Sequence, residues 1–118
     1  MGKIRHIAIR TNEQEKLRDF YMKTFDMHQV HKEGTGRAIY LSDGYLNLAI
    51  LPGVPGKRDR IDHFGFAVDD MDDAGRKAAE NGGSSKMAAR PRDGRFAEYR
   101  IADPAGIGID LSEGGWKV

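Results

Sequence analysis

The chain repeats a pattern within itself, and this repeat limits its fold more than any other feature. Residues 4–9 (IRHIAI) align with residues 61–66 (IDHFGF), so that His6 and His63 occupy the third position of each segment. Each segment alternates as a β-strand does, and each is followed by an amphipathic helical pattern and three further candidate strands. The predicted order is therefore β-α-β-β-β, a linker, and β-α-β-β-β. One such module alone would leave a sheet face uncovered, so we expect two to pack together, within the chain or across a dimer.

The repeat divides the chain into a first module (residues 1–51), a linker (52–60) and a second module (61–118), which together form one structural domain. The linker contains two prolines and two glycines, which is typical of a connecting segment. Asn12 and Glu15 have the spacing of a capping box for the first helix, and Asp69 or Asp70 can cap the second helix. The remaining candidate strands lie near residues 28–33, 37–42, 45–51, 85–90, 95–102 and 107–112. The predicted fold class is α+β.

Charge and composition exclude several classes of function. The 118 residues include 19 Lys and Arg against 18 Asp and Glu, so electrostatics gives no reason to expect binding to nucleic acid or to a membrane surface. The longest apolar stretch, residues 46–51, is far shorter than the ~20 residues that span a bilayer, and no signal peptide is evident. The chain has no cysteine, which excludes disulfides and thiolate metal sites and is consistent with a cytoplasmic protein.

Two histidines and one aspartate have the pattern expected of a metal centre. His6 shares a predicted strand face with Ala8, and His63 shares one with Gly65. Asp110 lies between Ile109 and Leu111, where an ionised carboxylate is costly unless a cation or hydrogen-bond donors neutralise it. A divalent metal held by both imidazoles and this carboxylate would do so, and it would leave coordination positions open for water or substrate.

Each of these residues also has a purely structural interpretation. A single histidine on a half-apolar strand is usually hydrogen-bonded in the core, and Asp110 could cap a turn or pair with Arg100. The repeat aligns Asn47 (in LNL) with Asp110 (in IDL), so the Asn47 amide is either a fourth hard ligand or a structural group. The pairwise relation of the four residues favours the metal interpretation. His28 and His31 show no such relation, and we predict that both are solvated.

The sequence resembles the vicinal oxygen chelate superfamily, which includes glyoxalase I, methylmalonyl-CoA epimerase, extradiol dioxygenases and bleomycin-resistance proteins. The resemblance covers nearly the whole chain and is carried by the two opening segments, by the helical runs RDFY (18–21) and FDM (25–27), and by the DPAG turn (103–106) through Asp110. It implies two βαβββ modules packed as a pseudo-two-fold cupped barrel around a metal site. The metal ligands implied are His6, His63 and Asp110, and a homodimer is also expected.

Two departures from the family pattern bear on the chemistry. The last-strand ligand in the family is usually Glu, and Asp110 is one methylene shorter. Ring-cleaving dioxygenases place a His and then a Tyr shortly before the DPxG turn, but no histidine follows His63 here and Tyr99 is displaced by one residue. Ring cleavage is therefore disfavoured. Glyoxalase-like and epimerase-like members have Glu or Gln in the fourth strand, where Asn47 is the nearest match.

The resemblance thus implies an enzyme that uses a divalent metal (Ni, Co, Mn, Zn or Fe) on a small-molecule substrate with vicinal oxygens. The reaction expected is that of a lyase or isomerase with an enolate-like intermediate. Asp110 would be a ligand and a possible catalytic base, and Asn47 a weaker ligand or an orienting amide. The candidate substrate-binding residues are Arg37, Tyr40, Arg95 and Arg100. The alternatives are a non-catalytic drug- or metabolite-binding protein of the bleomycin-resistance type and an iron-dependent dioxygenase on the same scaffold.

Overall fold

The computed structural model describes residues 2–30, 36–84 and 99–118. The first part of the chain contains β1 (Lys3–Thr11), α1 (Gln14–Phe25), β2 (His28–Gln29), β3 (Ile39–Ser42) and β4 (Asn47–Pro52). The second part contains β5 (Arg60–Ala67), α2 (Met71–Glu80), β6 (Tyr99–Ala102) and β7 (Gly108–Ser112). The predicted strand at 85–90 and the start of the one at 95–102 lie outside the described residues.

The strands form one mixed sheet in the order β2-β3-β4-β1-β5-β7-β6, which confirms the α+β class. The opening strands of the repeat, β1 and β5, lie antiparallel at its centre. Each also pairs in parallel with the last strand of its own half, β1 with β4 and β5 with β7. The sheet is not closed, because within the described ranges β2 and β6 form its two edges.

The repeat extends to two irregularities in the central strand pair. The pairing shifts between Ile4 and His6, so that Arg5 is an extra residue in β1, and it shifts again where Asp62 is an extra residue in β5. Each shift therefore falls on the residue directly before the histidine of its segment. An extra residue of this kind is a β-bulge, which bends the strand and redirects the neighbouring side chains.

Both helices cover the same face of the sheet. Leu17 and Tyr21 of α1 pack against Leu41, Leu48 and Ile50. In the other half, α2 contributes Met71, Ala74 and Ala78 to a cluster with Ile101, Ile109 and Leu111. Ile7 of β1 and Phe64 of β5 pack in the same two clusters. Because side chains alternate along a strand, the residues next to them, His6 and His63, face the opposite side of the sheet. Neither helix of the described part is long and apolar enough to cross a bilayer.

The two predicted helix caps have different outcomes. For α2 the prediction is confirmed, since the Asp70 side chain accepts a hydrogen bond from the Asp73 amide. The capping box at Asn12 is wrong, because α1 begins after Glu13 without a side-chain cap. The main-chain and side-chain amides of Asn12 instead donate to Asp59 in the loop before β5. A tertiary contact therefore takes the main-chain amide of Asn12, which in a capping box would donate to Glu15.

Candidate metal centre

His6, His63 and Asp110 form one buried cluster on the sheet face away from the helices. Each offers one possible ligand atom, and these atoms all lie within 4.8 Å of one another. The residues come from β1, β5 and β7, which are neighbours in the sheet. Their exposed fractions are 4%, 6% and 2%. Strand alternation and adjacency alone therefore bring together three residues that lie far apart in sequence.

The strand register corrects one relation that the sequence suggests. Asn47 lies opposite His6, whereas Asp110 lies opposite Gly65, two residues beyond His63. The counterpart of Asn47 in the second half is therefore Gly108 and not Asp110. A slip of two residues equals one period of a strand, so Asp110 stays on the predicted face. The sequence alignment of β4 with β7 was therefore displaced by two residues, but it still placed Asp110 on the correct face of the sheet.

His63 is held between two carboxylates. Its Nδ1 lies 2.7 Å from Oδ2 of Asp62, and its Nε2 lies 3.1 Å from Oδ2 of Asp110. Asp62 also pairs with Arg10 and Arg60, at 3.5 and 3.4 Å. Partial burial acts to raise the pKa of Asp62, but the hydrogen bond from His63 and the neighbouring positive charges outweigh it and lower the pKa. Asp62 is therefore an ionised acceptor that fixes the imidazole ring of His63.

Asp110 stays ionised although it is buried. Arg100 lies directly opposite it on β6 and donates from Nε to Oδ1 at 2.7 Å. Burial acts to raise the pKa of Asp110, but the hydrogen bonds and charges of His63 and Arg100 hold it well below the usual range of a carboxyl. Arg100, predicted as a substrate-binding residue, thus contacts a predicted metal ligand. This is the pairing of Asp110 with Arg100 that the sequence also allowed.

His6 is held by Asn47 of β4 and by the segment that follows β7. Its Nδ1 lies 2.9 Å from Oδ1 of Asn47, and Nδ2 of Asn47 donates to the carbonyl of Lys117 at 2.9 Å. The indole of Trp116 stacks on the imidazole, with ring centroids 4.8 Å apart and an interplanar angle of 4°. Asn47 therefore has the position of an orienting amide, because its oxygen is directed at the histidine.

The cluster has the donor chemistry of a divalent metal site. Two imidazoles and one carboxylate suit Zn, Ni, Co, Mn and Fe ions. Both histidines also have an acceptor at Nδ1, as metal-bound histidines usually do. The residues present therefore fit such an ion.

The remaining predicted residues are more scattered. Tyr40 lies on the same sheet face as the cluster and packs on Ala8 and Ala49. Arg37 is exposed before β3, where its carbonyl accepts a hydrogen bond from Gln14 of α1. Arg95 lies outside the described residues, as does His31. His28 is exposed on β2, as predicted.

Sequence reasoning missed two groups that contact the histidines. Regular alternation places Asp62 on the face opposite His63, and only the bulge allows the two side chains to meet. Trp116 follows β7 in a segment without strand or helix periodicity, so no local pattern connects it with His6. The sequence sets Trp116 apart only in that it is the single tryptophan of the chain.

Comparison with known proteins agrees with this architecture. The sequence model of the Glyoxalase/Bleomycin resistance protein/Dioxygenase superfamily matches residues 3–111. Among curated protein sequences, no relative matches. A similar solved structure is that of a hypothetical protein, BH1468, from Bacillus halodurans C-125. It is 14% identical, with a TM-score of 0.74 over 99% of this chain and 97% of that one.

Two similar structures are those of named enzymes. Methylmalonyl-CoA epimerase from Mycobacterium tuberculosis is 17% identical, with a TM-score of 0.72 over 92% of this chain and 85% of its own. The 2,3-dioxygenase LapB from Pseudomonas sp. KL28 is 18% identical, with a TM-score of 0.70 over 93% of this chain and 40% of its own. At these identities the likeness establishes the fold alone. The family match extends from β1 into β7, and the chain therefore belongs to the Glyoxalase/Bleomycin resistance protein/Dioxygenase superfamily.

Proposed function

We propose that the protein is a cytoplasmic, divalent-metal-dependent enzyme that acts on a small molecule with two adjacent oxygens. The reaction class is a lyase or isomerase reaction that moves a proton on the carbon next to a carbonyl. The observation that carries the proposal is the convergence of His6, His63 and Asp110 within 4.8 Å on one buried sheet face. Similarity in fold to an epimerase supports the same class by analogy.

The residues of the site have distinct roles in this proposal. His6 and His63 hold the ion through the ring nitrogens opposite their Nδ1 hydrogen bonds, and Asp110 holds it through its carboxylate. The ion, when bound, polarises a substrate oxygen and stabilises the negative charge that develops there. Asp110 is the charged ligand of the set and the possible acceptor of the substrate proton. Arg100 keeps that carboxylate oriented.

Metal binding is the first test. We expect protein purified without an affinity tag to contain a divalent metal at near-stoichiometric level, and His63→Ala to lose it. His28→Ala is the matched control, since it removes an exposed histidine on β2 and should leave the metal content unchanged. Circular dichroism of both variants checks that the fold is retained. Wild-type protein that binds none of Zn, Ni, Co, Mn or Fe would end the proposal.

A second test separates the proposed reaction from its rivals. We expect metal-loaded protein in D₂O to exchange the proton next to the carbonyl in some member of a panel of 2-hydroxycarbonyl compounds and acyl thioesters. Proton NMR would detect this exchange, and His63→Ala should lack it. Oxygen uptake with the iron-loaded protein would instead indicate a dioxygenase. Thermal stabilisation by bulky organic ligands alone, with none by metals, would indicate a binding protein.

A further inference from the structure

We propose that the segment after β7, residues 113–118, is a positioning element of the metal centre that fixes the tautomer and the ring plane of His6. It acts through the Lys117 carbonyl and the Trp116 indole. The inference rests on the proposed function, since it concerns how one ligand of that site is prepared for a metal. Neither group is a predicted ligand, and neither would touch the ion in this role.

The tautomer follows from a chain of hydrogen bonds with one possible direction. The Lys117 carbonyl can only accept, so the Asn47 group that contacts it is the amide NH₂. The Asn47 oxygen is thereby directed at Nδ1 of His6. An amide oxygen also only accepts, so Nδ1 is the donor and the neutral ring carries its lone pair at Nε2. A main-chain carbonyl 70 residues from Asn47 thus selects the tautomer that can bind a metal through Nε2.

The ring plane follows from the stacking contact. The Trp116 ring lies nearly parallel to the imidazole at a centroid distance of 4.8 Å, and its side chain is buried. The position of the indole depends on Gly65, because a Cβ there would lie 2.6 Å from the indole. A glycine at the centre of the sheet therefore provides the space in which the tryptophan lies against His6.

The segment is itself anchored at its start. The Glu113 carboxylate accepts a hydrogen bond from the Met71 amide at the start of α2, at 2.8 Å. The Ser112 hydroxyl accepts one from the Gly115 amide at 2.9 Å. Gly115 has a φ of 72°, which favours glycine. These contacts direct the chain back across the sheet face, so that Trp116 and Lys117 reach β1 and β4.

His63 provides an internal comparison. Its Nδ1 contacts Asp62, the preceding residue of the same strand, and this contact involves no atom of the segment. A change in the segment should therefore alter the tautomer of His6 and leave that of His63 as it is. A general loss of stability would affect both rings alike.

The test combines histidine NMR with metal binding. Long-range ¹⁵N–¹H spectra at about pH 8, above the ordinary pKa of imidazole, should show the apo wild-type His6 protonated at Nδ1. Asn47→Ala should shift His6 toward the other tautomer and weaken the binding of Zn²⁺, measured by calorimetry, by about 10- to 100-fold. Trp116→Ala should weaken it by about 10-fold, and Trp116→Phe should recover most of the loss because a ring remains. The tautomer of His63 should not change in any of them, because its Nδ1 keeps Asp62 as its partner.

A control and the opposing outcomes complete the test. Ile101→Val truncates a buried side chain on the helix face, so it should lower stability without altering Zn²⁺ affinity or the His6 spectrum. Wild-type Zn²⁺ affinity and an unchanged His6 tautomer in both Asn47→Ala and Trp116→Ala would overturn the inference. If the wild-type protein bound no Zn²⁺, the proposed site would fail, while the apo spectra would still decide whether the segment positions His6.

Discussion

The carboxylate of Asp62 shows how one extra residue changes the environment of a candidate metal ligand. Arg5 and Asp62 occupy equivalent bulges before His6 and His63, but their side chains take different partners. Arg5 donates to the Tyr45 carbonyl and stacks its guanidinium on the Tyr45 ring, whereas Asp62 contacts its neighbouring histidine. The two imidazoles thus have different acceptors at Nδ1, a neutral amide for His6 and a charged carboxylate for His63. A carboxylate acceptor makes a metal-bound imidazole more basic.

Asp62→Asn should therefore weaken Zn²⁺ binding by about 10-fold, because the amide oxygen still accepts from His63 but carries no charge. Calorimetric titration with Zn²⁺ measures this effect. Asp59→Asn is the control, since Asp59 contacts Thr11 and Asn12 away from the cluster. Equal Zn²⁺ affinities for wild type and Asp62→Asn would contradict the role assigned to this carboxylate.

Asp43 gives the turn before β4 a dependence on pH. Its carboxylate accepts hydrogen bonds from the amides of Leu46 and Tyr45, at 2.7 and 2.8 Å, and these bonds lower its pKa below 3.8. A lowered pKa in the folded state means that the stabilisation is complete above the unfolded value and is lost as the pH falls through the folded value. The carboxylate therefore stabilises the turn at neutral pH and not in strong acid.

We expect Asp43→Ala to lower the free energy of unfolding by about 1 kcal/mol at neutral pH. The difference from wild type should shrink as the pH falls below the ordinary Asp pKa of about 3.9. Urea denaturation of wild type and Asp43→Ala, at neutral pH and in acid, measures the free energy of unfolding under each condition. A difference that stayed the same in acid would show that the charge of Asp43 is not what stabilises the turn.

At the scale of elements, the central pair of strands determines where the site lies. β1 and β5 are antiparallel neighbours, and β7 continues the sheet from β5, so one face of three adjacent strands carries the cluster. The two helices occupy the other face. Gly65 lies in the middle of this arrangement, under the indole. A Cβ added to Gly65 would lie 3.1 Å from the Cβ of His6.

Gly65→Ala should therefore displace Trp116 and destabilise the protein by about 1–3 kcal/mol, as overpacking of a filled site does. Gly108→Ala is a matched control on the same face, because its Cβ would meet Arg100 and His63 at ordinary contact distances of 3.7 and 3.8 Å. Chemical denaturation monitored by fluorescence measures the stability of both variants, since the emission of the single tryptophan reports directly on Trp116. Equal stabilities for the two variants would contradict this packing.

At the scale of the molecule, one layer of helices covers one face of an open sheet. Several large apolar side chains stay exposed, including Phe25 at 62% and Ile61 at 67%. The repeat and the family resemblance predict a homodimer in which two such sheets complete each other. Sedimentation equilibrium at micromolar concentration should give twice the chain mass of 13.1 kDa. A mass equal to that of one chain would contradict the dimer.

The parts of the fold that follow from local periodicity were predictable. The β3–β4 turn at Ser42–Gly44, the Asp70 cap and both helices follow the sequence pattern, since each depends on residues close together in the chain. The Asn12 capping box failed, and the main-chain amide that it would direct to Glu15 donates instead to Asp59, far along the chain. From sequence, Arg100 could contact a substrate or Asp110, and only the cross-strand register shows that it lies opposite Asp110.

The amino-acid sequence by itself determined the strand and helix order of the described residues, the α+β class and the shared face of His6, His63 and Asp110. Period and repeat are properties of the chain that can be read locally. The tertiary structure decided the side-chain partners of those three residues. Asp62 meets His63 through a bulge, Arg100 reaches Asp110 across a strand pair, and Trp116 reaches His6 from beyond β7. These contacts depend on register and on chain segments far apart in sequence, and no local pattern records where such segments meet.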